Sequence, residues 1–193
     1  PIYPMLAAQG VPYVYGALQN FGGTLYLGMS VDVINTGAPE DPRAVPSLRD
    51  ALATYPGGLG VGAFPEGVDQ NPAYFTFLFD ALWATADGAP RDLGAWWQRY
   101  AVERYGADIA RAASAWAALG ATVYGIDERA NATEGGFERE KARGGVLSFP
   151  LSFNYNDAPA PQNPWYPVDA VLGAWRDLVA AAPDVPAGAA VAH

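Results

Sequence analysis

With 193 residues, 51% of them hydrophobic and only 16% charged, the chain can bury a sizeable core as one large domain or two small ones, which excludes gross disorder. Its net charge of −9 argues against nucleic acid, whose phosphates demand clustered Lys and Arg, and against docking on anionic membranes. Cysteine is absent and the one histidine is His193, so disulfides, Cys-ligated zinc, a Ser-His-Asp triad and an H-E-x-x-H metal site are excluded. Chemistry here must rest on carboxylates, tyrosines, the single lysine Lys141 or backbone dipoles, with no metal or cofactor called for. No run of 18 apolar residues is present to cross a membrane.

Residues 11–18 read as a first strand, which runs into the loop Gln19-Asn20-Phe21-Gly22-Gly23. A weak helix follows over residues 42–54, with Val45, Leu48 and Leu52 on one side and Pro46 interrupting it. Residues 59–64 read as a second strand, glycine-rich, ending in the loop Gly62-Ala63-Phe64-Pro65-Glu66-Gly67. The helix predicted over residues 70–86 is apolar on several sides (Tyr74, Phe75, Phe77, Leu78, Phe79, Leu82, Trp83), which predicts burial between layers. Strand, loop, helix repeated in this order is the pattern of an α/β barrel or a doubly wound sheet.

The texture changes at the breaker Asp87-Gly88-Ala89-Pro90. Asp92 can cap a helix over 92–104, on which Leu93, Trp96, Trp97, Tyr100 and Ala101 share a face, and Tyr105-Gly106 ends it. A second helix spans about 108–124, with Ile109, Ala112, Ala113, Trp116, Leu119 and Val123 on one side. Residues 125–146 are charged and Gly-rich, a solvated stretch that holds a formal glycosylation sequon at Asn131. Residues 147–167 are aromatic and Pro-rich, and a last helix over 169–181 carries Val171, Leu172, Trp175, Leu178 and Val179. Helical spacing assigns Trp96, Trp97, Trp116 and Trp175 to the core. Pro1 at the start and an Ala/Pro/Gly-rich tail from Ala182 read as the ends of a fragment.

Polar residues at the carboxyl ends of parallel strands are where barrel enzymes hold their chemistry, so Glu66 is the first candidate. Pro65 fixes its own backbone and Gly67 permits a sharp turn, a frame that can hold one carboxylate in one orientation. Read alone, Pro-Glu-Gly is also an ordinary exposed turn, and Asn20-Phe21-Gly22-Gly23 an ordinary strand-to-helix turn. The aromatics Phe149, Phe153, Tyr155, Trp165 and Tyr166 can stack on sugar faces or pack on the nearest helix.

Taken together, these segments resemble the α-N-acetylglucosaminidase family, glycoside hydrolase family 89. The likeness runs in order through most of the chain: Leu18-Gln19-Asn20-Phe21-Gly22-Gly23, then Gly62-Ala63-Phe64-Pro65-Glu66-Gly67 with Gln70-Asn71. It continues through Arg104-Tyr105-Gly106, Ala115-Trp116, Val123-Tyr124 and Trp165-Tyr166 to Ala174-Trp175-Arg176. The resemblance implies the C-terminal strands of a (β/α)₈ TIM barrel over residues 1–86, an α/β fold, followed by a mainly helical C-terminal domain over 87–193. It implies a retaining exo-glycosidase that removes terminal α-linked N-acetylglucosamine from glycans, with Glu66 as nucleophile and the acid/base glutamate upstream of Pro1. Leu18, Asn20 and Phe21 then line the sugar pocket, and Trp165 with Tyr166 reach it from the helical domain. Gln19 stands where the family usually has His. The partners implied are a glycan ending in N-acetylglucosamine and the missing N-terminal part of the same protein, in a lysosomal or extracellular setting. On this reading the isolated chain lacks turnover. A rival from another class is a non-catalytic helical or carbohydrate-binding module, in which Glu66 is a turn residue.

Overall fold

The computed structural model describes residues 2–19, 31–37, 46–65, 71–84, 91–125 and 167–189. The chain divides into two compact units, one holding the described residues up to Ala84 and the other holding 91–125 with 167–189.

In the first unit α1 (Ile2–Ala8) precedes β1 (Tyr13–Gln19), then α2 (Val31–Thr36), α3 (Leu48–Thr54), β2 (Gly58–Pro65) and α4 (Pro72–Ala84). The two strands pair in parallel, and α3 and α4 pack on β2. On β1 the alternation of a strand is plain: Tyr13, Tyr15 and Ala17 are buried, while Val14 is 48% exposed. The buried tyrosines tie the strand to its neighbours. The Tyr13 hydroxyl is shared between the carbonyls of Ala51, at 2.5 Å, and Tyr55, at 2.8 Å. Tyr3 of α1 lays its ring within 5.2 Å of Tyr13 and 5.9 Å of Tyr55.

Of the helix expected over residues 42–54, residues 42–45 lie outside the described residues, and α3 begins at Leu48, where the Ser47 hydroxyl accepts from the Asp50 N–H at 3.0 Å. Helices α1 and α2, both of one or two turns, had no amphipathic period to announce them. The expectation that α4, apolar on several sides, is buried between layers is corrected. Ala73, Tyr74, Phe77 and Leu78 are buried, but Phe79 is exposed and Trp83 is 79% exposed, because the described part of the unit covers only one face of α4.

In the second unit α5 (Leu93–Tyr105) and α7 (Val168–Ala181) both pack on α6 (Ala110–Gly120), and a 3₁₀ turn, Ala182–Asp184, follows α7. Asp92 caps α5 by accepting from the Ala95 N–H at 3.1 Å, and Gly106 ends it at φ +67°. Trp97 stacks on Trp116 with ring centroids 5.8 Å apart, Tyr100 meets Trp116 edge-on at 4.8 Å, and Tyr124 lies against Trp97. The Trp116 indole N–H donates to the Tyr105 hydroxyl at 3.2 Å, so the buried ring keeps its donor satisfied. Trp175 departs from its expected place in the core. It is 63% exposed, on a stripe with Val168, Leu172 and Val179, while Val171, Ala174 and Ala181 take the buried face of α7.

Candidate active site at the strand ends

The two strands meet with Tyr13 opposite Gly58, but from Tyr15 opposite Val61 onward the pairing has moved by one residue. The extra residue is in β2, where Gly60 adopts φ +144°, a conformation that disfavours every residue with a Cβ. Beyond this bulge the register is regular: Gly16 with Gly62, Ala17 with Ala63, Leu18 with Phe64, and Gln19 with Pro65.

The bulge also changes which way the strand faces. A Cβ built on Gly58 would meet Leu52 and the Tyr13 hydroxyl, on the helix-covered face. A Cβ on Gly62 would instead meet Val14 and the ring of Phe64, on the opposite face. Phe64 lies on that second face, 53% exposed, with its ring over the in-register pair Gly16 and Gly62. The absence of side chains at those two glycines is what leaves room for it.

Of the sequence-predicted site residues, Leu18 is placed by its backbone, level with Phe64 near the carboxyl end of β1. Asn20, Phe21, Glu66, Trp165 and Tyr166 lie outside the described residues, as does the sequon at Asn131. In sequence, Asn20 and Glu66 are the next residues after the level pair Gln19 and Pro65. Asn71, part of the second motif, is buried at the head of α4, and its side-chain oxygen accepts from the Tyr74 N–H at 3.4 Å. Its place in the motif therefore has a structural reason.

Burial raises the Tyr15 hydroxyl well above the usual phenol range, with Tyr3 and Tyr74 adding to the shift; burial does the same, less strongly, to Tyr3 and Tyr13. These phenols stay neutral on the helix face and do not supply a base. Among the described residues no group of His, Cys, Asp or Glu is arranged to hold a metal ion. What sequence reasoning missed was the bulge; its signal was the run Gly57-Gly58-Leu59-Gly60-Val61-Gly62, too glycine-rich for a regular strand.

Two models of one family match the chain: the α-N-acetylglucosaminidase (NAGLU) tim-barrel domain over residues 4–85, and the α-N-acetylglucosaminidase (NAGLU) C-terminal domain over residues 96–191. The α-N-acetylglucosaminidase of Homo sapiens is 30% identical over 194 residues, spanning 96% of this chain and 22% of that protein. A family 89 glycoside hydrolase from Clostridium perfringens, solved with 2-acetamido-1,2-dideoxynojirmycin, superposes with a TM-score of 0.68 at 18% identity, covering 96% of this chain and 19% of that one. A variant of the Clostridium perfringens enzyme with two glutamates changed to glutamine, solved with its substrate GlcNAc-α-1,4-galactose, gives 0.66 at 19% identity over the same shares. The chain thus spans about a fifth of the length of these relatives.

Proposed function

We propose, from the premise that the chain belongs to the α-N-acetylglucosaminidase family, that it carries the nucleophile half of a retaining exo-glycosidase acting on terminal α-linked N-acetylglucosamine. The observation that carries this reading is the register. Gln19 and Pro65 end two neighbouring parallel strands at the same level, and the candidate residues Asn20 and Glu66 come next on each. Phe64, near the carboxyl end of β2, lies on the sheet face away from the helices. In a parallel barrel that face is the interior, and its carboxyl end is the mouth where substrate binds.

Retaining hydrolysis needs two carboxyl groups about 5 Å apart, one attacking the anomeric carbon and one protonating the leaving oxygen. The glutamate pair replaced in the Clostridium perfringens variant fits a two-carboxylate mechanism. In the sequence Glu66 directly follows Pro65, the last residue of β2. Glu103 sits on the solvent side of α5, 3.3 Å from Arg99. The acid/base glutamate is accordingly assigned to the part of the relatives that this chain does not span. Residues 1–86 are then the last strands of the barrel and 87–193 the helical domain, with Trp165 and Tyr166 offering aromatic faces to the sugar. The setting proposed is lysosomal or extracellular.

Assay on p-nitrophenyl α-N-acetylglucosaminide tests the reading. The chain on its own is expected to show no turnover. Joined to the remaining barrel strands, it is expected to hydrolyse the glycoside and to lose kcat by roughly 10⁴-fold or more in Glu66→Gln, because the covalent step goes with the carboxylate. Turnover by the lone chain that depends on Glu66 would overturn the division of the two carboxylates. Turnover that survives Glu66→Gln would overturn the role of Glu66 itself.

A further inference from the structure

Helix α7 carries two apolar faces, and only one of them is covered. Val171, Ala174 and Ala181 are buried on the side that packs on α6, where Ala181 meets Ile109 and Ala112. Val168, Leu172, Trp175 and Val179 are instead exposed, Trp175 at 63% and Val179 at 57%. Their steps of four, three and four residues are the repeat of a helix that packs lengthwise on another helix. A helix face turned only to water carries polar residues. The seam therefore calls for a second helix, and the charges beside it select which one.

Asp169 and Arg176 each follow a seam residue, Val168 and Trp175, by one position, so both stand on the flank away from α6. Both are exposed, and among the described residues neither has an ion-pair partner. Separated by about 10 Å along the helix axis, they are too far apart to pair with each other. A second copy of α7 laid antiparallel, with its Trp175 against Leu172 and its Val179 against Val168, brings Asp169 of each copy beside Arg176 of the other. In a parallel pair Arg176 would instead lie beside Val171, an apolar and already buried residue.

We propose that the exposed face of α7 is a self-complementary seam, on which two copies of this chain pair through antiparallel α7 helices with two reciprocal Asp169–Arg176 ion pairs. One patch serves both copies, so the contact closes on a twofold axis. The seam belongs to the second unit and owes nothing to the role proposed for Glu66. Exposed ion pairs add little affinity; these select the alignment, while the apolar residues, Trp175 above all, supply the attraction. A seam of one helix is a small contact, so the pair is weak, and the net charge of −9 opposes it until salt screens the repulsion.

Sedimentation of the 193-residue chain at about 0.15 M salt, with circular dichroism to confirm that each variant is folded, tests the pairing. Asp169→Arg alone sets like charges at both crossings, and so does Arg176→Asp. Each is expected to weaken self-association by about tenfold or more. An equimolar mixture of the two variants is expected to recover it as a heterodimer, because every crossing again joins opposite charges. A weakened first turn of α7 in Asp169→Arg, the other cause of a loss, would not be repaired by mixing. The chain has no cysteine, so introduced thiols report the direction. Val168→Cys chains mixed with Val179→Cys chains are expected to give the mixed disulfide in excess over either homodimer, and Trp175→Gln in both to cut its yield by about thirtyfold. Failure of the mixed charge variants to associate overturns the proposal, as does a preference of Val168→Cys chains for linking to each other. An unmodified chain that stays monomeric up to about 1 mM overturns it too, and leaves the seam to a helix of another polypeptide.

Discussion

Single residues decide how closely the elements of each unit approach. At the end of α6, Gly120 lies against the Trp97 indole so tightly that a Cβ would run into the ring. Trp97 cannot yield cheaply, because it is buried between Trp96, Trp116, Tyr100 and Tyr124. Gly120→Ala is therefore expected to destabilise the second unit by about 1–3 kcal/mol, the usual range for overpacking, although alanine is the better helix former. The denaturation midpoint of the helical unit followed by tryptophan fluorescence reads this; a stabilised variant would mean that α5 and α6 separate without strain. The resemblance to Ala115-Trp116 and Val123-Tyr124 named two members of this aromatic cluster. The glycine that lets α6 close on it was invisible, because a glycine's value here is the volume it leaves empty.

At the scale of elements, what could be read in the sequence was whatever carried a period or a cap. Helix α5 was legible at both ends, since Asp92 offers a capping carboxylate and Gly106 takes the left-handed position. Strand β1 was legible from its tyrosines, and β2 only in outline, because period two breaks at Gly60. Helices α1 and α2 were not legible, being too short to show a face. Trp175 was misplaced because α7 has two apolar stripes, and spacing alone does not say which of them is covered.

The tyrosine cluster that fastens α1 and α3 to β1 has a consequence in pH. Burial holds the Tyr3, Tyr13 and Tyr15 hydroxyls above the value near 10 that they take in the unfolded chain. Above about pH 10 the unfolded chain releases protons that the folded unit retains, so the free energy of unfolding falls as pH rises; below it the contribution is fully present. Urea midpoints of the first unit are expected to hold level up to about pH 10 and fall beyond it, and Tyr15→Phe to flatten the fall. An alkaline fall of the same slope in Tyr15→Phe would remove Tyr15 from this account.

For the whole molecule, two terms oppose each other at the surface. Phe64 and Val14 stand open on the sheet face away from the helices, and Val168, Leu172, Trp175 and Val179 form an exposed stripe on α7. Covering apolar area of this kind is worth about 25 cal/mol per Å², and exposed patches of it promote association. Against this stands the net charge of −9, which makes two copies repel. The repulsion reaches about 30 Å at 0.01 M salt but only about 8 Å at 0.15 M, whereas the apolar term is not weakened by salt. The isolated chain is thus expected to sediment as a monomer in dilute buffer and to gain mass-average weight as sodium chloride is raised toward physiological strength. Phe64→Gln and Trp175→Gln together are expected to return it to the monomer at the higher salt, and reversing the charge balance without touching these residues is expected to leave the association in place. A sedimentation coefficient indifferent to salt in the unmodified chain would show that its own apolar faces do not drive association. Loss of association on Trp175→Gln alone would assign it to the helical unit and not to the open sheet face of the first unit.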